Sequence, residues 1–176
     1  LGSTFKKPQH LNSWKERNRN SIVVIGNIEE RKMPNQLYAI AKTADEFHFY
    51  IIGNIGYLEN KSVIEKLRSL NNVSLLGYCK DEEVISKLQS SLCLLYISYD
   101  EGFGIPLVEG MSQGTPVVTV KNGSLYEIGG ENVVYVAPED VESVISVFRH
   151  LQKEKHYFDM YQQLGCERAQ IFSWEL

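Results

Sequence analysis

Residues 92–116 read LCLLYISYDEGFGIPLVEGMSQGTP, and this stretch decides the fold. Leu92 to Ile97 is a short apolar run with the length and composition of a buried strand. Tyr99-Asp100-Glu101-Gly102-Phe103-Gly104 then supplies a glycine turn, Pro106 suits the first turn of a helix, and Gly114-Thr115-Pro116 ends that helix. Glu101 therefore falls on the loop and Glu109 on the helix.

The same alternation extends in both directions. Ile22 to Ile25, Phe47 to Ile52, Val73 to Leu76, Pro116 to Val120 and Val133 to Val136 read as further strands. Between them Leu37, Ile40, Ala41 and Ala44 share one helical face, as do Val63, Ile64, Leu67 and Leu70, then Val84, Ile85 and Leu88. Val141, Val144, Ile145, Phe148 and Leu151 repeat the pattern, and residues 154–172 read as a last helix. Apolar strands alternating with amphipathic helices predict an α/β fold: a Rossmann-like, doubly wound parallel sheet of about six strands with helices on both faces. Ligands of such sheets collect at the carboxyl ends of the strands, and Gly26, Gly53 and Gly77 each close a strand at that edge. No Gly-x-Gly-x-x-Gly follows the first strand, so a nicotinamide-dependent dehydrogenase lacks its main support.

A strand, glycine turn and helix place backbone N–H groups and the positive end of the helix dipole at the sheet edge, where a phosphate fits. Glycine at 102 and 104 lets a ligand approach the backbone, and carboxylates at 101 and 109 accept hydrogen bonds from sugar hydroxyls. Glu109 lies about five residues into the helix, roughly 7 Å further along its axis, a separation that spans neighbouring groups of one extended ligand. The competing reading is that the glycines serve packing and the acids only complement the dipole.

Composition adds limits. A chain of 176 residues builds one domain with a substantial core, and a net charge of −4 supplies no field for nucleic acid or an anionic membrane. No apolar run approaches ~18 residues, so the chain is expected to be soluble and not membrane-inserted, in a cytoplasmic setting. Cys79, Cys93 and Cys166 are odd in number and widely spaced, which argues against a disulfide framework or a metal site. Cys93 reads as a buried hydrophobe, and Cys79 as a thiol near the proposed site. His10, His48, His150 and His156 show no ligand spacing. Residues 1–20 are polar, basic and aperiodic and read as a linker or lead-in, with the domain spanning residues 21–176. The start at Leu1 and the stop within the helix opened by Ser173-Trp174-Glu175 give the expectation of an excised piece.

The segment Glu101, Phe103, Gly104, Pro106, Glu109 resembles the donor-binding motif of the retaining glycosyltransferases of family 4, within the glycosyl transferases group 1. The similarity continues through Gly114-Thr115-Pro116-Val117-Val118, Asn122 to Glu127, and Phe172-Ser173-Trp174-Glu175. Upstream, Gly26-Asn27-Ile28-Glu29-Glu30-Arg31-Lys32 resembles that family's phosphate-binding loop. The chain departs at Asn27, where arginine is common, at Tyr126, where proline is usual, and at Gly110, where alanine is usual.

The resemblance implies one half of a GT-B architecture, binding a nucleotide diphosphate sugar, with its own amino-terminal acceptor domain absent. Glu101 would contact the donor sugar and Glu109 the ribose. Arg31 and Lys32 would stabilise the departing diphosphate, which makes Glu101, Arg31 and Lys32 the expected catalytic group. Phe103, Gly104, Ile105, Pro106 and Leu107 would meet the sugar and phosphate, and Gly26 and Asn27 would line the loop. Gly77, Tyr78 and Cys79 would neighbour the nucleobase, and Asn122 and Glu127 the floor beneath the diphosphate. Glu127 reads equally as a surface helix residue, and Arg31-Lys32 also as a solvated charged turn.

No metal and no cofactor are expected, and the acceptor would be a glycan or a lipid, reached at the inner face of a membrane through the missing domain. Alone, the domain is expected to bind donor without turning it over. The alternatives are a non-catalytic nucleotide-sugar binding module and a glycosidase using Glu101 and Glu109, whose carboxylates would have to stand about 5 to 9.5 Å apart.

Overall fold

A computed structural model describes residues 5–6, 8–55 and 61–172. The expected closing-helix residues Ser173, Trp174 and Glu175 lie outside the described residues. Six strands occur among the described residues: β1 (Asn18–Ile25), β2 (His48–Ile52), β3 (Val73–Gly77), β4 (Ser91–Tyr96), β5 (Val117–Thr119) and β6 (Val134–Tyr135). They form one sheet in the order β3-β2-β1-β4-β5-β6, and every pairing is parallel. The helices are α1 (Pro34–Thr43), α2 (Lys61–Arg68), α3 (Asp81–Ser90), α4 (Ile105–Ser112), α5 (Gly123–Gly129), α6 (Val141–Lys153) and α7 (Lys155–Ala169).

All residues of β4 are buried, as its unbroken apolar run requires of a strand covered on both faces. Helix α1 packs on α2 and α6, α4 packs on α5 and α7, and α3 lies against β1 and β4. The core gathers Phe47, Phe49 and Phe148, with both phenylalanine pairs to Phe148 meeting edge to face. From β1 the chain winds outward through β2 and β3, then crosses back to β4 and winds the other way. Winding therefore reverses between β1 and β4, and the loops after those two strands open the crevice where such sheets take ligands.

The expected six strands all form. The first one begins earlier than its apolar run, at Asn18, where polar and exposed residues pair with the start of β4 at Ser91. Just upstream, the Arg17 guanidinium is buried and donates to the carbonyls of Leu88, Ser91 and Gly114 at 2.8, 2.8 and 2.7 Å. Trp14 Nε1 donates to the Leu151 carbonyl at 3.0 Å, so residues 12–17 are fastened to the domain. A 3-10 turn, Gln170–Phe172, follows α7 and completes the helical stretch expected over residues 154–172. Cys93 and Cys166 are buried and Cys79 is partly exposed, and none of the three forms a disulfide among the described residues. No helix among the described residues is long and apolar enough to cross a membrane.

Candidate functional site

The loop after β1 begins at Gly26, whose φ of 137° is open only to glycine, and its amide donates to the Ile52 carbonyl at 2.8 Å. Asn27 ties this loop down through its side chain: Oδ1 accepts from the Asn54 amide after β2 at 2.9 Å, and Nδ2 donates to Glu29 at 3.2 Å. A 3-10 turn, Glu30–Lys32, then presents Arg31 and Lys32. It ends at Met33, held at φ 53° and ψ 51°, a left-handed conformation rare for a side-chain-bearing residue. Met33 is buried, which offsets that cost, and Pro34 opens α1 immediately afterwards.

The loop after β4 is stitched to the first. The Arg31 carbonyl accepts from the Tyr99 amide at 2.8 Å and from Ser98 Oγ at 2.9 Å. The segment after β5 braces this second loop: Asn122 Nδ2 donates to the Ser98 and Tyr99 carbonyls at 2.6 and 3.0 Å, and Ser124 Oγ donates to the Glu101 carbonyl at 2.7 Å. Gly104 caps α4 at φ 84° and ψ 48°, and a Cβ there would lie 2.8 Å from Leu125 Cδ2. Glycine at this position thus serves both the turn and the close approach of α5.

These loops bring Glu101, Arg31 and Lys32 together. Glu101 Oε1 lies 2.6 Å from Arg31 Nη1 and 2.5 Å from Lys32 Nζ, and Arg31 Nε also meets Glu29 at 2.8 Å. The side chains of Glu101 and Lys32 are only 8% and 11% exposed, whereas Arg31 is 45% exposed. Burial pulls the Glu101 carboxyl upward, but the hydrogen bond and charge of Lys32, with Arg31, outweigh it and hold the carboxyl below its ordinary range. For Lys32 burial wins over Glu101 and the ammonium is held below the usual lysine value. For Arg31 the balance is the reverse: burial opposes, yet Glu101 and Glu29 raise it.

Glu109 has a different environment. Burial, helped by the charge of Asp81 at the start of α3, pushes its carboxyl up to about 7. No hydrogen bond or ion pair to its carboxylate is found among the described residues. The site thus holds one carboxylate neutralised by two cations and a second that ionises near neutral pH.

The remaining expected residues divide. Tyr78, directly after β3, is 88% exposed and open to a partner, with Gly77 and Cys79 beside it partly covered. Phe103 packs edge to face on Phe172, their ring centres 5.8 Å apart. Ile105 and Pro106 reach the surface of the first turn of α4, whereas Leu107 is wholly buried and its amide donates to the Gly104 carbonyl. Asn122 spends its side-chain N–H groups on the Glu101 loop. Glu127 points to solvent, and its carbonyl accepts from Arg168 at 2.7 Å. Reading the sequence did not single out Tyr96, Ser98 or Ser124, small or half-polar residues inside and beside the motif. A small recess beneath the first loop is lined by Gly26, Asn27, Lys32, Leu95, Tyr96 and Ile97, at the carboxyl ends of β1 and β4.

Comparison with known proteins agrees with this geometry. The family described as glycosyl transferases group 1 matches residues 6–167. O-antigen chain mannosyltransferase B of Escherichia coli is 31% identical over 103 residues, covering 58% of this chain and 27% of the relative. The MMP alpha-(1->4)-mannosyltransferase of Mycolicibacterium hassiacum is 28% identical over 167 residues, covering 90% of this chain and 40% of the relative. The chain thus spans less than half the length of both. Among solved structures, Anabaena HepE in complex with UDP-glucose superposes with a TM-score of 0.76 at 18% identity, over 88% of this chain and 45% of that one, a likeness of fold.

Proposed function

We propose, from the premise that this chain belongs to the glycosyl transferases group 1, that it is the donor-binding, carboxy-terminal domain of a retaining glycosyltransferase. The enzyme would move a sugar from a nucleotide diphosphate to a glycan or lipid acceptor. The observation that carries this reading is the convergence of Arg31 and Lys32 on one carboxylate, Glu101, at the switch between β1 and β4. Once Glu101 turns aside, the two cations and the amino end of α4 form a positive site, and a diphosphate is the anion that suits it.

In the reaction, the bond between the anomeric carbon and the diphosphate oxygen breaks. Negative charge grows on the departing oxygen while the sugar becomes oxocarbenium-like. Arg31, Lys32 and the α4 terminus stabilise that charge, with no metal assigned to the task. Glu101 turns from the cations to the sugar hydroxyls, and Glu109 accepts from the ribose, which favours its ionised form. Tyr78 offers a ring face to the base. The acceptor domain would supply the opposite wall of the cleft, so residues 21–176 alone bind donor without transfer. Because the relatives include proteins named as mannosyltransferases, and one neighbour was solved with UDP-glucose, a hexose donor is the class to test first.

The test is the thermal stability of the protein with uridine, guanosine and adenosine diphosphates, repeated on Glu109→Ala. Binding at ~100 times the dissociation constant adds ~2.7 kcal/mol to stability. A raised melting temperature with one nucleotide, lost in the variant, is expected. No shift with any of the three overturns the reading.

A further inference from the structure

Tyr96, the last residue of β4, holds Lys32 in two ways. Lys32 Nζ donates to the Tyr96 hydroxyl at 2.6 Å and lies 3.9 Å from the centre of its ring. A phenol offers a cation both a lone pair and a negative ring face. The tyrosine itself is fixed: it is 2% exposed, and its carbonyl accepts from Thr119 Oγ1 at 2.6 Å. Its ring also lines the underside of the glycine turn, where a Cβ on Gly104 would come within 3.8 Å of Cε1.

The other partner of Lys32 differs in kind. Glu101 sits on a loop and divides its carboxylate between Lys32 and Arg31. A phosphate entering this site competes with that carboxylate for the same cations. While they exchange, a nearly buried ammonium with no other partner would lose its proton or swing away.

We propose that Tyr96 is a positioning residue that keeps the Lys32 ammonium seated in the anion site while Glu101 exchanges with the ligand. The proposal rests on the diphosphate-binding reading of this site. The groups facing Lys32 are Glu101 from the loop after β4, Arg31 and Glu29 from its own turn, and Tyr96 from β4, and on the Tyr96 hydroxyl act Glu101, by charge and hydrogen bond, then Arg31 and Glu109 of α4. Burial raises the Tyr96 hydroxyl far above the ordinary phenol value, so it stays neutral and never competes with the ligand as an anion.

Tyr96→Phe keeps the ring and removes the hydroxyl. In the ligand-free protein the Lys32 ε-carbon resonance, followed by NMR against pH, should titrate about one pH unit lower in this variant, a tenfold change in the deprotonation equilibrium. Affinity for inorganic diphosphate should fall by up to about tenfold above the Lys32 midpoints, with the gap closing below them, where Lys32 is protonated in both proteins. An unchanged Lys32 midpoint overturns the proposal. That midpoint needs no ligand, so it still decides the matter if the wild type binds no nucleotide and the functional reading fails. Glu101→Gln gives a second route should Tyr96→Phe not fold: the Lys32 ε-protons should keep the upfield shift imposed by the Tyr96 ring. Collapse of that shift to the free-lysine position would equally overturn the proposal.

Discussion

Gly53 and Gly26 approach so closely that a Cβ on Gly53 would stand 2.2 Å from the Gly26 carbonyl oxygen. Gly53 also sits at φ 144°, and the Gly26 amide donates to the Ile52 carbonyl at 2.8 Å. The ends of β1 and β2 are thus pressed together, backbone on backbone, at the root of the loop that carries Arg31 and Lys32. Gly53→Ala adds both strain and a backbone clash, and is expected to cost about 2–4 kcal/mol in urea unfolding. A loss below ~0.5 kcal/mol would show that the two strand ends have room to part.

Glu101→Gln leaves Lys32 nearly buried without its carboxylate, and a ligand-free stability loss of about 2–3 kcal/mol is expected, less than for a fully buried pair because Arg31 is half exposed. The folded carboxyl is held below its unfolded value, so its contribution is present above the ordinary glutamate range and disappears as pH falls through the folded value. Wild type should therefore lose stability on acidification where Glu101→Gln, through this group, does not. Parallel acid profiles for the two proteins would contradict this account.

Glu109 carries the opposite sign. Its folded carboxyl is raised to about 7, so its stabilising effect is full below the ordinary glutamate value and is lost as pH rises through about 7. Glu109→Gln should be more stable than wild type at pH 8, by on the order of 1 kcal/mol, and equal to it near pH 4. Denaturant titrations at the two pH values check the crossover, and a variant less stable at pH 8 would refute it.

Arg17 is a structural counterpart at the other end of the sheet, beside the first residue of β4. Its guanidinium donates to four backbone carbonyls, those of Asn12, Leu88, Ser91 and Gly114, and burial outweighs the charge of neighbouring Glu16 and lowers it to about 10. Arg17→Leu strands those carbonyls and should cost about 3 kcal/mol or more. Nucleotide preference should not change, because the residue lies across the sheet from the site. A changed preference, measured by thermal shift, would link the two ends.

The strands were legible because each is a short apolar run, buried throughout at β4, helices α1, α2, α3 and α6 because their apolar positions repeat at helical spacing, and α4 from Pro106 at its start and Gly114-Thr115-Pro116 at its end. The start of β1 was not legible, since Asn18 to Asn20 are polar and exposed and their pairing depends on backbone groups at Ser91. Glu101 and the pair Arg31-Lys32 could each be picked out on their own loops. Their meeting depends on β1 lying beside β4, which no local pattern encodes. Tyr96 reads as core because it lies within an apolar run, and its polar tip has meaning only once Lys32 arrives. Leu107 was expected to face a ligand, yet helical geometry turns its side chain into the core and commits its amide to Gly104. At Gly110 the departure from alanine has a cause in packing, since a Cβ would lie 2.7 Å from Leu94 Cδ2 and 3.1 Å from Val117 Cγ2.

The adjacency of β1 and β4 also sets a timetable. The chain must be synthesised and folded back across β2 and β3 before Ile22 can find Cys93, and only then do the two loops share an edge. Pairings this distant in sequence close late, after the local β–α units have formed. A half-folded chain has no anion site for a nucleotide to grip, so added ligand should leave the refolding rate unchanged and act entirely on the rate of unfolding. On the donor-binding reading, a nucleotide would prolong the life of the finished domain without hurrying its making.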